Sequence, residues 1–329
     1  MKLNLLKTVV LVVAGLITLI AIVQFGTQAS AQLPRNTPAP APSAIPSVIS
    51  PADSTQVNPL NSPLNSGNLN AEVPFGCAIQ PNPNPTGRTE IRPRPSQVPL
   101  SRFRQISPKA DLQSALQTSA YTPREVVELA DPTNFGERFM KDLNGQVVEH
   151  QPIIVIHETV GSARSAINYF QTPHPLDADQ VSYHSLVGLD GTIYYLVPPD
   201  KRAFGAGNSV FLGTAGTEAV KTHPNFPPSV NNFAYHISLE TPADGDNNNT
   251  SHSGYTNAQY QSLAWLAAKT AVPNDRITFH KTVDRSGSRM DPRSFNSDTF
   301  FRVLETFPKT REIVIGCSLP LENNPPVSR

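Results

Sequence analysis

The sequence predicts an α/β or α+β fold with a single mixed β-sheet flanked by helices. Residues 153–156 form a short apolar run of β-branched residues, which is typical of a strand buried on both faces. Residues 163–170 and 257–270 carry apolar side chains at helical spacing. Because strands and helices alternate along this part of the chain, we expect the helices to cover the faces of the sheet.

Four further strands are predicted. Residues 182–189 and 192–197 flank Asp190-Gly191, a turn signal that predicts a β-hairpin. Residues 235–240 alternate between apolar and polar side chains and predict another strand. Residues 276–279 predict a last short strand, which ends immediately before a histidine.

The segment before the sheet, residues 101–149, is predicted to be a helical extension of the domain. Residues 111–117 and 123–143 are its helical stretches. The second stretch has Thr122 as its N-cap and Glu125 three residues later, which is the spacing of a capping box.

Composition divides the rest of the chain. Its 329 residues carry 26 basic and 26 acidic side chains, which excludes a small disulfide scaffold and a nucleic-acid binder that works through a basic surface. Of 33 prolines, 15 lie between Pro34 and Pro99, so residues 32–100 are predicted to be a disordered tether rich in Pro, Asn and Ser. We expect a catalytic domain over residues 150–312, a C-terminal tail over residues 313–329, and a monomer.

The first residues predict export. Lys2 and Lys7 precede an apolar run over residues 8–23, and Ala29-Ser30-Ala31 resembles a signal-peptidase site, so residues 1–31 are predicted to be a signal peptide. The alternative is an uncleaved membrane anchor, because the run is only slightly shorter than the roughly 20 residues that span a bilayer. Both interpretations predict a periplasmic or cell-wall-facing protein, and the second adds membrane anchoring by the N-terminal segment.

The chain has two cysteines, Cys77 and Cys317. In an oxidising compartment they predict a disulfide that holds the tether against the domain. Two free thiols are the alternative. Cysteines so isolated do not predict a metal site.

Candidate metal ligands lie at two predicted strand ends. His157 follows one strand and His280 another, and the ends of strands converge at one edge of a sheet. Asp291 lies a short loop beyond His280. Two imidazoles and one carboxylate are the ligand set of a catalytic zinc site, with the fourth position left to water. From spacing alone, the alternative that these are polar surface residues stays open.

Several segments of the chain, taken in order, resemble one protein family. They are residues 153–158, 181–184 with 188–197, 206–209, 237–240 and 280–292. Together they resemble the zinc-dependent N-acetylmuramoyl-L-alanine amidases, which include peptidoglycan recognition proteins and amidase-type phage lysozymes. The resemblance covers roughly residues 150–300. It implies a mixed sheet, a Zn²⁺ ion held by His157, His280 and Asp291 in a surface groove, and cleavage of the amide between N-acetylmuramic acid and L-alanine.

The resemblance also implies roles for three residues near the ion. Glu240 matches the catalytic glutamate of one branch of the family and is predicted to be the general base. Tyr183 matches a tyrosine used by another branch and is predicted to donate to the oxyanion or to orient the reacting groups. Arg289 stands where the family commonly has a lysine. It can stabilise an oxyanion, but as a planar fork and not as a point charge.

Three polar residues, Asn208, Ser209 and His184, are predicted to contact the substrate. His184 is alternatively a rival metal ligand, although the pleat of its strand favours a structural role. Gly205 stands where many relatives have a histidine in the groove. No histidine side chain can therefore contact the substrate from this position.

Two classes of function follow. The first is a zinc amidase that acts on peptidoglycan or muropeptides during cell-wall remodelling or recycling. The second is a non-catalytic module that binds peptidoglycan or muropeptides. The presence of all three ligands and of Glu240 favours the enzyme. The absence of an H-E-x-x-H motif argues against a zinc peptidase of the common type.

Overall fold

A six-stranded mixed sheet forms the centre of the computed structural model, which describes residues 77–105, 121–214 and 216–316. The sheet order is β1-β5-β4-β9-β3-β10, and β1 and β5 run antiparallel to the other four strands. The strands are β1 (Glu125–Val127), β2 (Phe135–Glu137), β3 (Ile153–Glu158), β4 (Ser185–Val187), β5 (Ile193–Tyr195), β6 (Lys201–Ala203), β7 (Phe211–Gly213), β8 (Gly216–Glu218), β9 (Ala234–Leu239) and β10 (Ile277–Phe279). The α-helices are α1 (Ala163–Gln171), α2 (Asn257–Ala268), α3 (His280–Val283) and α4 (Ser297–Leu304). The predicted fold class is confirmed.

β3 lies between β9 and β10 and pairs in parallel with both. All six of its residues are buried, as the continuous apolar run predicts. The register sets Ile156 beside Ile237 of β9 and Phe279 of β10. One residue further along, His157 lies beside Ser238 of β9, and His280 begins α3.

The two longest described helices cover opposite faces of the sheet. On one face, Leu263 and Leu266 of α2 share an apolar cluster with Ile154 and Ile156 of β3. On the other face, α1 packs against Leu186 of β4. Because side chains alternate between the faces of a strand, His157 lies on the α1 face.

A local capping signal starts α2, the helix that apolar spacing predicts over residues 257–270. Thr256 caps α2: its hydroxyl accepts from the backbone N–H of Gln259, and the Gln259 side chain accepts in return from the backbone N–H of Thr256. The predicted β-hairpin is also present, because β4 and β5 pair antiparallel. Gly191 has a φ of 84° in the connecting turn, a conformation that favours glycine.

The helix predicted over residues 123–143 is wrong. The segment contains β1, which pairs in parallel with β5, and β2, which pairs antiparallel with β6. Two local features oppose a helix. Val126 and Val127 are β-branched, and Pro132 would lack a helical N–H and clash with the preceding turn. Pro132 instead begins a 3-10 turn whose N-terminus is capped by the side chain of Asp131.

The sequence predicts a free tether up to residue 100, but residues 77–105 lie against the domain. The backbone N–H of Ala78 donates to the Arg138 carbonyl (2.9 Å), and that of Thr89 donates to the Pro175 carbonyl (2.7 Å). Phe103 is buried in the same apolar cluster as α2. Since β1 also belongs to the sheet, the folded domain begins well before residue 150.

Cys77 is disulfide-bonded. Cys317 lies outside the described residues, so the pairing of these two cysteines stays a prediction. The same holds for the signal peptide or anchor over residues 1–31, for the tether up to residue 76, and for the helix over residues 111–117. In the ranges that the structure describes, none of the helices is long and apolar enough to cross a bilayer.

A buried ionic cluster joins the two ends of the described chain to the sheet. Arg104 pairs with Glu125 of β1 (2.7 Å) and with Glu312, and Lys269 donates to Glu312 (2.6 Å). Burial of the Glu312 carboxyl opposes its ionisation, but the hydrogen bonds from Lys269 and Arg104 outweigh that effect and lower its pKa.

We expect Glu312→Gln to destabilise the domain by about 2 kcal/mol at pH 7, because two buried cations lose a charged acceptor. The folded-state pKa of Glu312 is lowered, so its contribution is present above the unfolded value of about 4.3 and is lost as the pH falls through the folded value. Urea unfolding of both proteins from pH 7 downward measures this difference. The exposed Glu305→Gln is the control. A difference that persists unchanged into acid would contradict the assignment.

Candidate functional site

The pairing of β3 with β10 brings the two predicted histidine ligands together. Ile156 and Phe279 are register partners, and each is followed directly by a histidine. The rings of His157 and His280 lie 4.5 Å apart between centroids. Both side chains are buried, His157 completely.

Asp291 reaches the same point from the loop that follows α3. Its backbone carbonyl accepts from the Lys281 N–H (2.9 Å), which holds the loop end beside the start of the helix. Its Oδ2 lies 3.2 Å from Nδ1 of His157 and 3.0 Å from Nδ1 of His280. Burial raises the pKa of Asp291, but the contacts with both histidines outweigh it and hold the pKa well below its usual range.

These three side chains fit a metal ion. One ligand atom from each of His157, His280 and Asp291 lies within 4.8 Å of the others, and no other such group of three occurs among the described residues. Burial, together with the neighbouring His280, lowers the pKa of His157 to about 4, so its imidazole is neutral at physiological pH, as a metal ligand must be. Two imidazole nitrogens and one carboxylate oxygen suit zinc, with a position left for water or substrate.

Tyr183 lies directly over this group. Its ring is 4.5 Å from the His157 ring and tilted by 30°, and its other side meets the edge of Phe170 of α1. Burial, followed by the charge of Asp291, raises the pKa of Tyr183, so the phenol is protonated at neutral pH and can donate a hydrogen bond.

A groove of about 980 Å³ is lined by two of the three candidate ligands, His280 and Asp291. The residues that line it include Tyr183, Asn208, Arg289, His280, Asp291, Phe204, Arg202, Thr222, His223 and Phe226. Arg289 is exposed, and its backbone N–H donates to the Asp284 carboxylate (3.3 Å), which orders the loop before Asp291. The groove therefore contains three of the predicted substrate or transition-state contacts, namely Tyr183, Arg289 and Asn208.

Glu240 is not among the residues that line the groove, so the structure does not place it where the predicted general base would act. One carboxylate oxygen accepts from the backbone N–H of Ala163, the first residue of α1 (2.8 Å), and the other accepts from the N–H of Leu189 (2.8 Å). The first N–H groups of a helix have no partner within it and carry partial positive charge. Glu240 thus stabilises the start of α1.

His184 and Ser209 are also structural rather than substrate contacts, because both are completely buried. The Nδ1 atom of His184 accepts from the backbone N–H of His236 (2.9 Å). The Ser209 hydroxyl donates to the Ala206 carbonyl (2.8 Å) and accepts from the Val230 N–H (3.0 Å). Neither side chain is among those that line the groove, and His184 belongs to no candidate metal group among the described residues.

The contact behind His157 was not predicted from the sequence. Nε2 of His157 lies 2.9 Å from Nδ1 of His236, a residue in the middle of β9. A Cβ added to Gly205 would lie 2.6 Å from the His236 ring. The glycine that replaces the family's groove histidine therefore leaves space for a different histidine. Strand alternation places His236 on the same face as Ser238, but only the register shows that this face meets His157.

A second buried cluster, also not predicted, lies on the other side of β3. Glu158 accepts from the Tyr255 hydroxyl (2.8 Å), lies 3.0 Å from Nε2 of His252, and is paired with Arg293. Arg293 also donates to the Asn247 carbonyl (2.8 Å). The cluster fixes the loop over residues 243–254 and the chain just after Asp291. Nothing in the sequence spacing indicates these pairings.

This mixed sheet, with two histidines and an aspartate meeting at its strand ends, defines an α/β protein with a candidate mononuclear metal centre beside a groove. Residues 149–294 match the family model described as N-acetylmuramoyl-L-alanine amidase, which confirms the resemblance inferred from the sequence.

Several solved structures are similar to this chain. A selenomethionine derivative of AmpD is 24% identical, with 57% of this chain and 98% of that chain covered and a TM-score of 0.38. The N-acetylmuramoyl-L-alanine amidase LysC of Clostridium intestinale is 20% identical, with 56% and 99% covered and a TM-score of 0.34. Peptidoglycan recognition protein SD of Drosophila is 14% identical, with 59% and 100% covered and a TM-score of 0.33. No match is found among curated proteins.

We expect Glu240→Gln to lower the free energy of unfolding by about 1 kcal/mol, because the N-terminus of α1 loses a charged acceptor. Zinc affinity is expected to be unchanged, since the side chain is bound away from the ligands. Urea unfolding and competitive zinc titration measure the two quantities, with the exposed Glu305→Gln as control. Weaker zinc binding together with unchanged stability would refute this placement.

Proposed function

We propose that the domain hydrolyses the amide between N-acetylmuramic acid and L-alanine in peptidoglycan or muropeptides, with Zn²⁺ as its cofactor. The observation that carries this proposal is the convergence of His157, His280 and Asp291 within residues 149–294, the region that matches the amidase family model. These three residues would hold the ion.

The chemistry divides between the ion and the chain. When bound, zinc polarises the scissile carbonyl and lowers the pKa of a bound water toward neutrality. Arg289, at the exposed edge of the groove, places a positive charge that favours the developing oxyanion. Asn208, which also lines the groove, supplies polar contacts that orient the substrate.

Tyr183 is the acid–base group that we assign to the reaction. Of the two candidates that the resemblance supplies, Glu240 is bound at the start of α1, whereas Tyr183 lies over the ring of His157. Its phenol is protonated at neutral pH because the ordinary pKa of tyrosine is about 10. It can therefore donate a hydrogen bond to the carbonyl oxygen, or give its proton to the leaving amine and regain one from the attacking water.

One observation favours the alternative of a muropeptide-binding module without catalysis, namely that Glu240 lies outside the groove. The complete ligand set supports the enzyme over this alternative. We further infer from the N-terminal residues that the protein is exported to the periplasm or the cell-wall side of the membrane, where its substrate lies.

The first test uses the full chain, zinc and purified muropeptides. We expect release of peptides that begin with L-alanine, their loss on chelation and their return when zinc is added. Asp291→Ala should reduce the rate by at least about 100-fold, because even partners that only orient metal ligands are worth about 10–100-fold. Mass spectrometry of the released peptides measures the rate.

The exposed Asp298→Asn on α4 is the matched control and should cleave like the wild type. If the zinc-loaded wild type binds muropeptides but releases no peptide, the domain is a binding module and the proposed activity is wrong.

The second test concerns Tyr183. We expect Tyr183→Phe to lower kcat by about 10²–10⁴-fold, the usual contribution of a positioned acid–base group, with little change in zinc affinity. Tyr194→Phe is the control, because it makes the same substitution in β5, away from the groove. It should leave kcat unaltered. A Tyr183→Phe enzyme with wild-type kcat would exclude this assignment.

A further inference from the structure

We propose that His236 is a positioning residue for the metal ligand His157, and that Gly205 is the residue that makes room for it. This inference rests on the proposed zinc site. It does not depend on which bond the domain cleaves.

The two nitrogens of His157 face different partners. Nδ1 faces Asp291 and is the atom offered to the metal, whereas Nε2 lies 2.9 Å from Nδ1 of His236. A neutral imidazole has one N–H and one lone pair. For Nδ1 to bind a metal, the proton of His157 must lie on Nε2, where it is donated to Nδ1 of His236. The second histidine thus supplies the acceptor that the zinc-binding tautomer of His157 requires.

His236 is held in place by its own neighbours. It is completely buried, and its backbone N–H donates to Nδ1 of His184 (2.9 Å). The rings of His184 and His236 are nearly parallel, at 12° and 5.7 Å between centroids. The acceptor nitrogen of His236 therefore cannot turn away from His157 without breaking this packing.

The other nitrogen of His236 has no partner. Its Nε2 is buried and makes no hydrogen bond among the described residues. A buried polar atom without a partner costs about 1–3 kcal/mol, so an apolar residue at this position would suit the core better. The contact with Nε2 of His157 is the one interaction of the imidazole that only a hydrogen-bond acceptor can make. We attribute the presence of a histidine here to that contact.

Gly205 supplies the space for the ring. A Cβ at this position would lie 2.6 Å from both Cγ and Nδ1 of His236, closer than non-bonded atoms approach. The φ of Gly205 is not positive, so the backbone conformation alone does not require glycine. The requirement is steric, and it couples positions 205 and 236.

Loss of the acceptor has a defined consequence. Without His236, the Nε2–H of His157 has no partner, and the tautomer with its proton on Nδ1 is favoured because that N–H can donate to Asp291. This proton competes with the metal for the same atom. Partners that orient metal-ligating histidines are typically worth about 10–100-fold in metal affinity.

The test compares zinc affinities of full-length variants by competition with a chromophoric chelator. We expect His236→Ala and Gly205→Ala each to bind zinc about 10–100-fold more weakly than the wild type. His236→Asn, whose side-chain oxygen can take the place of Nδ1 as acceptor, should restore most of the affinity. Gly205→Ala should cost nothing further in the His236→Ala background, because the ring it displaces is already absent.

Nitrogen NMR of the zinc-loaded protein gives an independent readout. The Nε2–H of His157 is expected to be hydrogen-bonded in the wild type and in His236→Asn, and to have no acceptor in His236→Ala. His150→Ala, which removes a histidine outside the groove, is the control and should change neither measurement.

Wild-type zinc affinity in His236→Ala overturns the inference, and so does an affinity in His236→Asn as low as that in His236→Ala. If His236→Ala does not fold, Gly205→Ala and His236→Asn decide the matter by the same criteria. These results are separable from the proposed activity, since a domain that cleaves no muropeptide can still lose zinc affinity in these variants.

Discussion

The parallel pairing of β3 with β9 and β10 is the constraint on which the site depends. β3 is buried along its whole length, so its register with both neighbours cannot slip by one residue without turning every side chain to the wrong face. That register places His157 next to His280 and in front of His236. The ligand pair and the contact behind it therefore follow from a single set of backbone hydrogen bonds.

A metal site at a buried strand imposes a second requirement, because imidazoles in a dry environment must be neutral and must have partners. Burial is the first cause that lowers the pKa of His157, His184 and His236 alike. Neutral rings can act in series, each as donor on one nitrogen and acceptor on the other. The series ends at Nε2 of His236, which has no hydrogen-bond partner among the described residues.

The parts of the fold and site that the sequence predicts are those set by local pattern. The apolar run of β3, the turn at Gly191 and the helical spacing of α2 are each contained in a short run of consecutive residues. The helix expected after Thr122 failed for the complementary reason. Its capping signal is local, but Glu125 is bound by Arg104 and β1 pairs with β5, so contacts distant in sequence outweigh helix propensity.

The same distinction separates the two carboxylates that the family pattern places at the site. Asp291 lies at the site because its backbone carbonyl is hydrogen-bonded to the N–H of Lys281 at the start of α3. The Glu240 carboxylate is instead bound by the backbone N–H of Ala163 at the start of α1. The sequence pattern determines where the backbone of each carboxylate residue runs, but the nearest unpaired N–H donor determines where its side chain is bound.

Gly205 shows the converse case. In the sequence it is a missing histidine, but in the structure it is the space that another histidine needs to reach His157. The position that lacks a groove side chain thus provides the space through which a buried histidine of β9 contacts a metal ligand.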